Sequence, residues 1–285
     1  MLLMFLRLSK TMTHSNYIES ILQSEPDPAF EERARFILDS IVKNKSANIL
    51  DVGCGRGFYV RLFSLLEFPK KIVGVDQNKI YLNKAGCDLK NDKRVRLMQG
   101  SIYHLPFDDN SFDTVVASEI FEHLNNPQTA IEECSRVLKK DGQLIITVPH
   151  KNFPFFWDPI NFILMKLFNT HVPKHIWWLA GIWADHKKLY KEEEIKDLLS
   201  KKKFKVIRSK RIVAHSYPFA HFLLYGIGKN LIEKFNLPTF DRFNFNITKK
   251  PSPFVKLFKL PSKKWDGIIK KDKRFMNLAL VGIKT

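Results

Sequence analysis

The run Ile49-Leu50-Asp51-Val52-Gly53-Cys54-Gly55-Arg56-Gly57 is apolar until it reaches three glycines at alternate positions. Without a Cβ at Gly53, Gly55 and Gly57 the backbone can come close to a ligand. A helix starting after the turn would offer N–H groups with no partners of their own, where an anion or carboxylate fits. The same residues also suit a plain tight turn between strand and helix. A second apolar run, Val73-Gly74-Val75-Asp76, ends in an acid. At the tip of a neighbouring strand, Asp76 is placed to accept hydrogen bonds from two ribose hydroxyls; it also suits the N-cap of a helix starting near Gln77. Glu119-x-x-Glu122-His123 sets two carboxylates beside an imidazole, and His150 follows another apolar run. Glu122, His123 and His150 are candidates for a general base. A polar loop residue is the competing account of His150, and a helix residue packed on a turn that of His123. The Glu–Glu–His spacing has the look of a metal site, but such a site needs a second histidine brought in by the fold, so no metal is assigned.

Positioning these residues takes a frame, and the hydrophobic pattern supplies one. Residues 28–43 read as an amphipathic helix with Phe30, Ala34, Ile37 and Ile41 on one stripe. Apolar segments at 48–52, 71–75, 95–98, 112–117 and 144–148 then alternate with helical ones at 58–66, 78–85 and 127–140. Strands buried on both faces need such runs, with helices between them, and right-handed crossovers wind them into a doubly wound sheet. After Pro149 the pattern breaks into aromatic-rich sequence at 150–186. A helix at 190–202, a strand at 204–212, a second aromatic and basic stretch at 213–274 and an apolar strand at 275–283 follow.

The glycine turn with its following Val-Gly-Val-Asp resembles the class I S-adenosylmethionine-dependent methyltransferases, in the broad branch containing ubiquinone- and menaquinone-pathway enzymes. Gln99-Gly100-Ser101-Ile102, Leu105-Pro106-Phe107, Asn110-Ser111-Phe112-Asp113, Ser118 to Leu124 and Arg136 to Gly142 extend the likeness. It covers residues 46–149 closely and 187–212 loosely. The resemblance implies a Rossmann-like, doubly wound α/β sheet of seven strands, mostly parallel with an antiparallel last strand, plus two helical aromatic and basic insertions. It implies one domain over 1–285: a cofactor-binding core at 46–149, an insertion at 150–186, a helix and strand at 187–212, a second insertion at 213–274 and a closing strand at 275–284. It further implies S-adenosyl-L-methionine as cofactor. Gly53, Gly55 and Gly57 would wrap its methionine part, and Asp51 would support the turn and the amino group. Asp76 would hold the ribose, Gln77 would flank the adenine, Ser101 and Ile102 would line it, and Ser118 would lie near the sulfonium.

Composition narrows the partners. The chain has 285 residues, 45% of them hydrophobic, which excludes a wholly disordered tail. Three scattered cysteines exclude a disulfide framework and point to a reducing, cytoplasmic setting. Residues 1–150 carry 19 basic and 19 acidic side chains, whereas residues 151–285 carry 28 and 10. Such asymmetry points to an anionic partner, and lysine decoration of solvated faces competes with that reading. The apolar start, Met1 to Leu8, is too short for a membrane span, and Met12 is an alternative start. In the insertions, bulky apolar runs such as 162–168 and 254–260, with Trp177, Trp178 and Trp183, alternate with lysines, as suits a peripheral contact with an anionic membrane surface. A hydrophobic lid is the competing account. No Asn/Asp-Pro-Pro-Tyr/Phe stretch follows the fourth strand and no Pro-Cys pair is present, which removes the usual grip on adenine or glutamine amino groups and the cysteine route to cytosine carbon-5. The expected activity is methyl transfer to a hydrophobic or lipid-like small molecule. An RNA methyltransferase using the basic half and a non-catalytic S-adenosylmethionine-binding protein are the alternatives, with nucleic acid the weaker partner.

Overall fold

The computed structural model describes residues 12–176, 179–184, 186–224, 242–243, 252–261 and 274–285. Seven strands, β1 (Asn48–Val52), β2 (Lys71–Asp76), β3 (Val95–Gln99), β4 (Phe112–Ser118), β5 (Leu138–Pro149), β6 (Phe204–Ile212) and β7 (Asn277–Lys284), form one sheet. Their order is β3-β2-β1-β4-β5-β7-β6. Strands β1 to β5 pair in parallel, and β7 runs antiparallel between β5 and β6. The expected doubly wound architecture with one antiparallel strand is therefore present. Helices α1 (Met12–Ser24), α2 (Pro28–Asn44), α3 (Phe58–Ser64), α4 (Lys79–Leu89), α5 (Pro127–Val137), α6 (Pro159–Phe168), α7 (Glu192–Ser200) and α8 (Pro253–Phe258), with two 3₁₀ turns at Phe121–His123 and Gly181–Trp183, complete the described elements.

The central strands β1, β2 and β4 read as continuous apolar runs because both faces are covered. Ile49, Val116 and Ile145 join the core on the side of α1, α2 and α3, while Leu50, Val115 and Leu144 join Ile131, Cys134, Ile195 and Leu199 of α5 and α7 on the other. Helix α2 starts where the Asp27 carboxylate accepts from Ala29 N with Pro28 in its first turn, and it stops at Lys45, which adopts φ 47°.

Two expectations need correction. The helix expected over 127–140 ends at Val137, and Leu138 opens β5 opposite Phe112. Leu138 is fully buried, so the sheet ladder outweighs the helical preference of Lys139 and Lys140. Asn78, not Asp76, caps the helix after β2, accepting from Ile80 N and Tyr81 N. Helix α1 was not anticipated: its polar residues dilute the stripe of Ile18, Ile21 and Leu22, which only packing on α2 reveals. Met1 to Leu8, Trp177 and Trp178 lie outside the described residues, as does most of 213–274. Among the described residues no helix is long and apolar enough to cross a membrane.

Candidate active site

The strand order reverses between β1 and β4, so the loops leaving their carboxyl ends diverge and open a crevice there. The glycine turn sits at that point, anchored to β2 by Gly53 N and Cys54 N, which both donate to Val75 O at 2.7 and 3.0 Å. Gly53 has φ +70°, and a Cβ there would lie 2.5 Å from Ile120 Cδ1. Gly55 is the opposite case. At φ +53° it faces open space, with nothing within 4 Å of an added Cβ. Asp76 holds this loop in place: one carboxylate oxygen accepts from Gly55 N at 2.7 Å and the other from Asn78 N at 2.8 Å. Behind the turn Asp51 is 1% exposed, and its Oδ2 has no hydrogen-bond partner. Burial, reinforced by the charge of Asp76, holds its carboxyl well above the usual carboxylate range.

The structure brings Gln77 and Ser101 together, Gln77 Nε2 donating to Ser101 Oγ at 3.2 Å. Ile102 is 4% exposed, so its side chain belongs to the core and offers little face to a ligand. Ser118 ends β4, and its hydroxyl contacts Tyr59 Oη at 3.2 Å and Thr147 Oγ1 at 2.9 Å. Burial pushes the Tyr59 phenol up to about 12.

Beyond Ser118 the chain turns sharply. Glu119 adopts φ 54°, a conformation a non-glycine residue keeps only where its surroundings enforce it. Its carboxylate supplies that enforcement, accepting from Arg33 Nη1, Thr147 Oγ1 and Asn277 Nδ2 at 2.8, 2.9 and 2.8 Å. The following 3₁₀ turn, Phe121–His123, carries Glu122 and His123. Lys187 N donates to Glu122 O at 2.8 Å, and this tether sets His186 beside them. Glu122 Oε1 lies 3.9 Å from Nε2 of both His123 and His186. The Glu122 side chain is fully buried and neither oxygen has a hydrogen-bond partner. Burial, then the charge of Glu119, raises it well above the usual carboxylate range. Burial together with His123 pushes His186 down to about 3. Glu122, His123 and His186 offer three ligand atoms within 4.8 Å of one another, the kind of donor set that holds a divalent ion.

His150 does not join this group. Its ring stacks on Phe275 at 3.8 Å, and the charges that act on it are Arg211, Glu192 and Glu193. The second histidine that the Glu–Glu–His pattern calls for is His186, which no local spacing marks. Sequence reasoning also missed an aromatic wall beside the turn. Phe30 and Phe58 meet edge to face at 4.7 Å, and Phe30 stacks with Tyr59 at 6.0 Å. Two residues of the second insertion close over this wall. Phe243 packs on Phe58 and lies 4.1 Å from the Arg56 guanidinium, while Arg242 lies 4.0 Å above the Phe30 ring.

Residues 50–146 match the family model described as a methyltransferase domain, Methyltransf_11. The chain is 32% identical over 166 residues to the mitochondrial ubiquinone biosynthesis O-methyltransferase of Rattus norvegicus, covering 51% of this chain and 46% of that one. It is 30% identical over 105 residues to a probable S-adenosylmethionine-dependent methyltransferase of Mycobacterium tuberculosis, covering 36% of each. The chain spans about half the length of such curated relatives, or less. In fold it is similar to the crystal structure of YcgJ from Bacillus subtilis, with a TM-score of 0.55 and 19% identity over 89% of this chain and 98% of that one.

Proposed function

We propose that this chain, whose residues 50–146 are a methyltransferase domain with S-adenosylmethionine as its cofactor, transfers a methyl group to a hydrophobic, lipid-like small molecule. One observation carries the cofactor half of this reading: a buried Asp51 with an unpartnered oxygen stands behind a glycine turn that Asp76 holds open. The cofactor's ammonium would satisfy Asp51, and the space facing Gly55 leaves room for its methionine tail. Asp76 would accept from the ribose hydroxyls. Gln77 and Ser101 would flank the adenine as a joined pair, with Ile102 packing behind them. Bound there, S-adenosylmethionine supplies a methyl group already activated on a sulfonium, so orientation does much of the catalytic work. Ser118, fixed by Tyr59 and Thr147, would mark the transfer point.

The likeness to a quinone-pathway O-methyltransferase supports a hydrophobic acceptor. His123 is the most exposed member of its group, with a side chain 38% exposed against 21% for His186 and 0% for Glu122, and it would take the acceptor's proton. The orphaned Glu122 carboxylate favours a second reading, in which a divalent cation held by Glu122, His123 and His186 orients the acceptor oxygen. Calorimetric titration with Mn²⁺ separates the two: binding that His186→Ala abolishes selects the cation, and no binding selects the base.

The activity itself is tested by incubating the protein with isotopically labelled cofactor and cell extracts, followed by mass spectrometry. Label in the lipid fraction is the expected result. Label in RNA alone, or cofactor binding without any transfer, would overturn the reading in favour of an RNA methyltransferase or a non-catalytic binding protein.

A further inference from the structure

Among the described residues, eleven large apolar side chains are exposed, and eight of them fall on three segments of the two insertions. Helix α6 presents Ile163 and Leu167 one turn apart on its outer face, followed by Phe168; the last two are each 67% exposed. Its inner face is fixed, because Phe162 packs edge-on against Phe153 and Phe155. Phe156, 51% exposed, is tied to the second segment by its carbonyl, which accepts from Phe219 N at 2.8 Å. Phe219 and Leu223 are exposed there one turn apart. The third segment joins through the Tyr217 ring, 6.0 Å from Phe258 of α8, and it exposes Leu257 and Leu260 at 56% and 49%. The three segments thus build a joined apolar ridge whose inner residues, Phe153, Trp157, Ala220 and Phe258, belong to the core.

Charge on these segments is one-sided. Across the described residues of 151–184, 213–224 and 252–261 the sole carboxylate is Asp158, which is fully buried and spent on Asn161 and Ile182 N. Every exposed charged side chain on them is a lysine: Lys151, Lys166, Lys174 and Lys256. Lys166 directly precedes Leu167, and Lys256 directly precedes Leu257, so cations and bulky apolar groups share the same turns.

We propose that this ridge docks on an anionic lipid bilayer, its aliphatic side chains entering the interface while the lysines meet the head groups. Aliphatic side chains gain from leaving water, and each lysine near an anionic surface strengthens binding by about fivefold. The other occupants fit less well. RNA would use exposed rings on which bases stack, and only Phe156, Phe168 and Phe219 of the eight are rings, whereas Ile163, Leu167, Leu223, Leu257 and Leu260 are aliphatic. A second copy of the chain would set lysine against lysine. The proposal stands apart from methyl transfer: a bilayer-bound chain that methylates nothing would satisfy it.

Co-sedimentation of the full chain with vesicles tests it. The protein is expected to pellet with phosphatidylcholine vesicles containing phosphatidylglycerol, weakly with phosphatidylcholine alone, and less at high salt. The double substitution Leu167→Asp with Phe168→Asp should weaken pelleting at least about tenfold, while cofactor binding measured by calorimetry stays unchanged. A second variant, Lys166→Glu with Lys256→Glu, should lower binding to the anionic vesicles selectively and keeps the test valid should the first variant misfold. Absence of pelleting with the anionic vesicles, equal pelleting of wild type and both variants, or binding to RNA in preference to vesicles would each overturn the proposal.

Discussion

In the first 150 residues 19 basic side chains stand against 19 acidic ones, and in residues 151–285 there are 28 against 10. The balanced half uses its charges internally: Arg35 holds Glu19 and Glu31, Arg33 holds Glu119, Arg136 holds Glu133, and Lys139 holds Asp113. In the basic half two groups of cations differ in what they face. Arg208, Lys210, Arg242 and Lys259 reach back to Asp39, Glu32, Glu25 and Glu31 of the first half. Lys151, Lys166, Lys174 and Lys256 stay at the surface beside apolar groups. Read as a sequence, the excess pointed either to an anionic partner or to lysine-decorated solvated faces. The fold assigns part of it to holding β6 and the second insertion onto the residues of α2 and the turn before it, and another part stays exposed, four of its lysines on the ridge.

The clamp gives the test with the largest expected effect. Lys259 is 1% exposed and donates to the Glu31 carboxylate at 2.5 Å and to Gln23 O at 2.9 Å. Lys259→Ala leaves that acid with Arg35 alone and the Gln23 carbonyl without its donor, which costs about 3 kcal/mol, and thermal melting should show a large fall. An unchanged melting temperature would mean that the halves hold together without it.

Within the core, Gly55→Val should reduce cofactor affinity by more than about 100-fold. The new side chain meets no protein atom but fills the space facing the turn, and its backbone strain is about 1–2 kcal/mol. Calorimetry with S-adenosylmethionine on a variant that still melts cooperatively checks this. Asp76→Ala removes a charged acceptor worth about 1.5–3 kcal/mol, so affinity should drop about 10- to 100-fold in the same assay. Unchanged affinity would remove Asp76 from the ribose role. Neither core substitution should alter vesicle binding, which is how the two halves are told apart.

The smallest effect concerns pH. Burial holds His150 below the usual imidazole range, so the folded chain resists a proton that the unfolded chain accepts. Stability from this residue is complete above about pH 6.5 and is lost as pH falls toward the lower folded value, with a slope of at most about 1.4 kcal/mol per pH unit. Melting curves from pH 7.5 to pH 5 should be flatter for His150→Gln.

Much of the frame was legible because it rests on local rules. The strands of the parallel sheet announced themselves as apolar runs since both faces are covered, and Gly53, Gly55 and Gly57 stood out because each takes a positive φ. Boundaries set by distant partners were less legible. Lys139 and Lys140 read as helical until the pairing of Leu138 with Phe112 drew that stretch into β5. The cluster of Glu122, His123 and His186 was legible only in fragments. Glu122 and His123 were named, but their third partner is held by a tether from Lys187 N to Glu122 O, and His150, the histidine with the more suggestive position after a strand, faces Phe275 instead.

The sequence by itself determined the sheet, its glycine turn and the acids Asp51 and Asp76, because backbone sterics and burial periodicity act over a few residues. Only the tertiary structure decided which acids are satisfied and which are orphaned, that His186 meets Glu122, and which lysines clamp the core and which share the ridge with leucines. Those outcomes depend on burial and on partners far along the chain, and a side chain's desolvation is a property of everything packed around it.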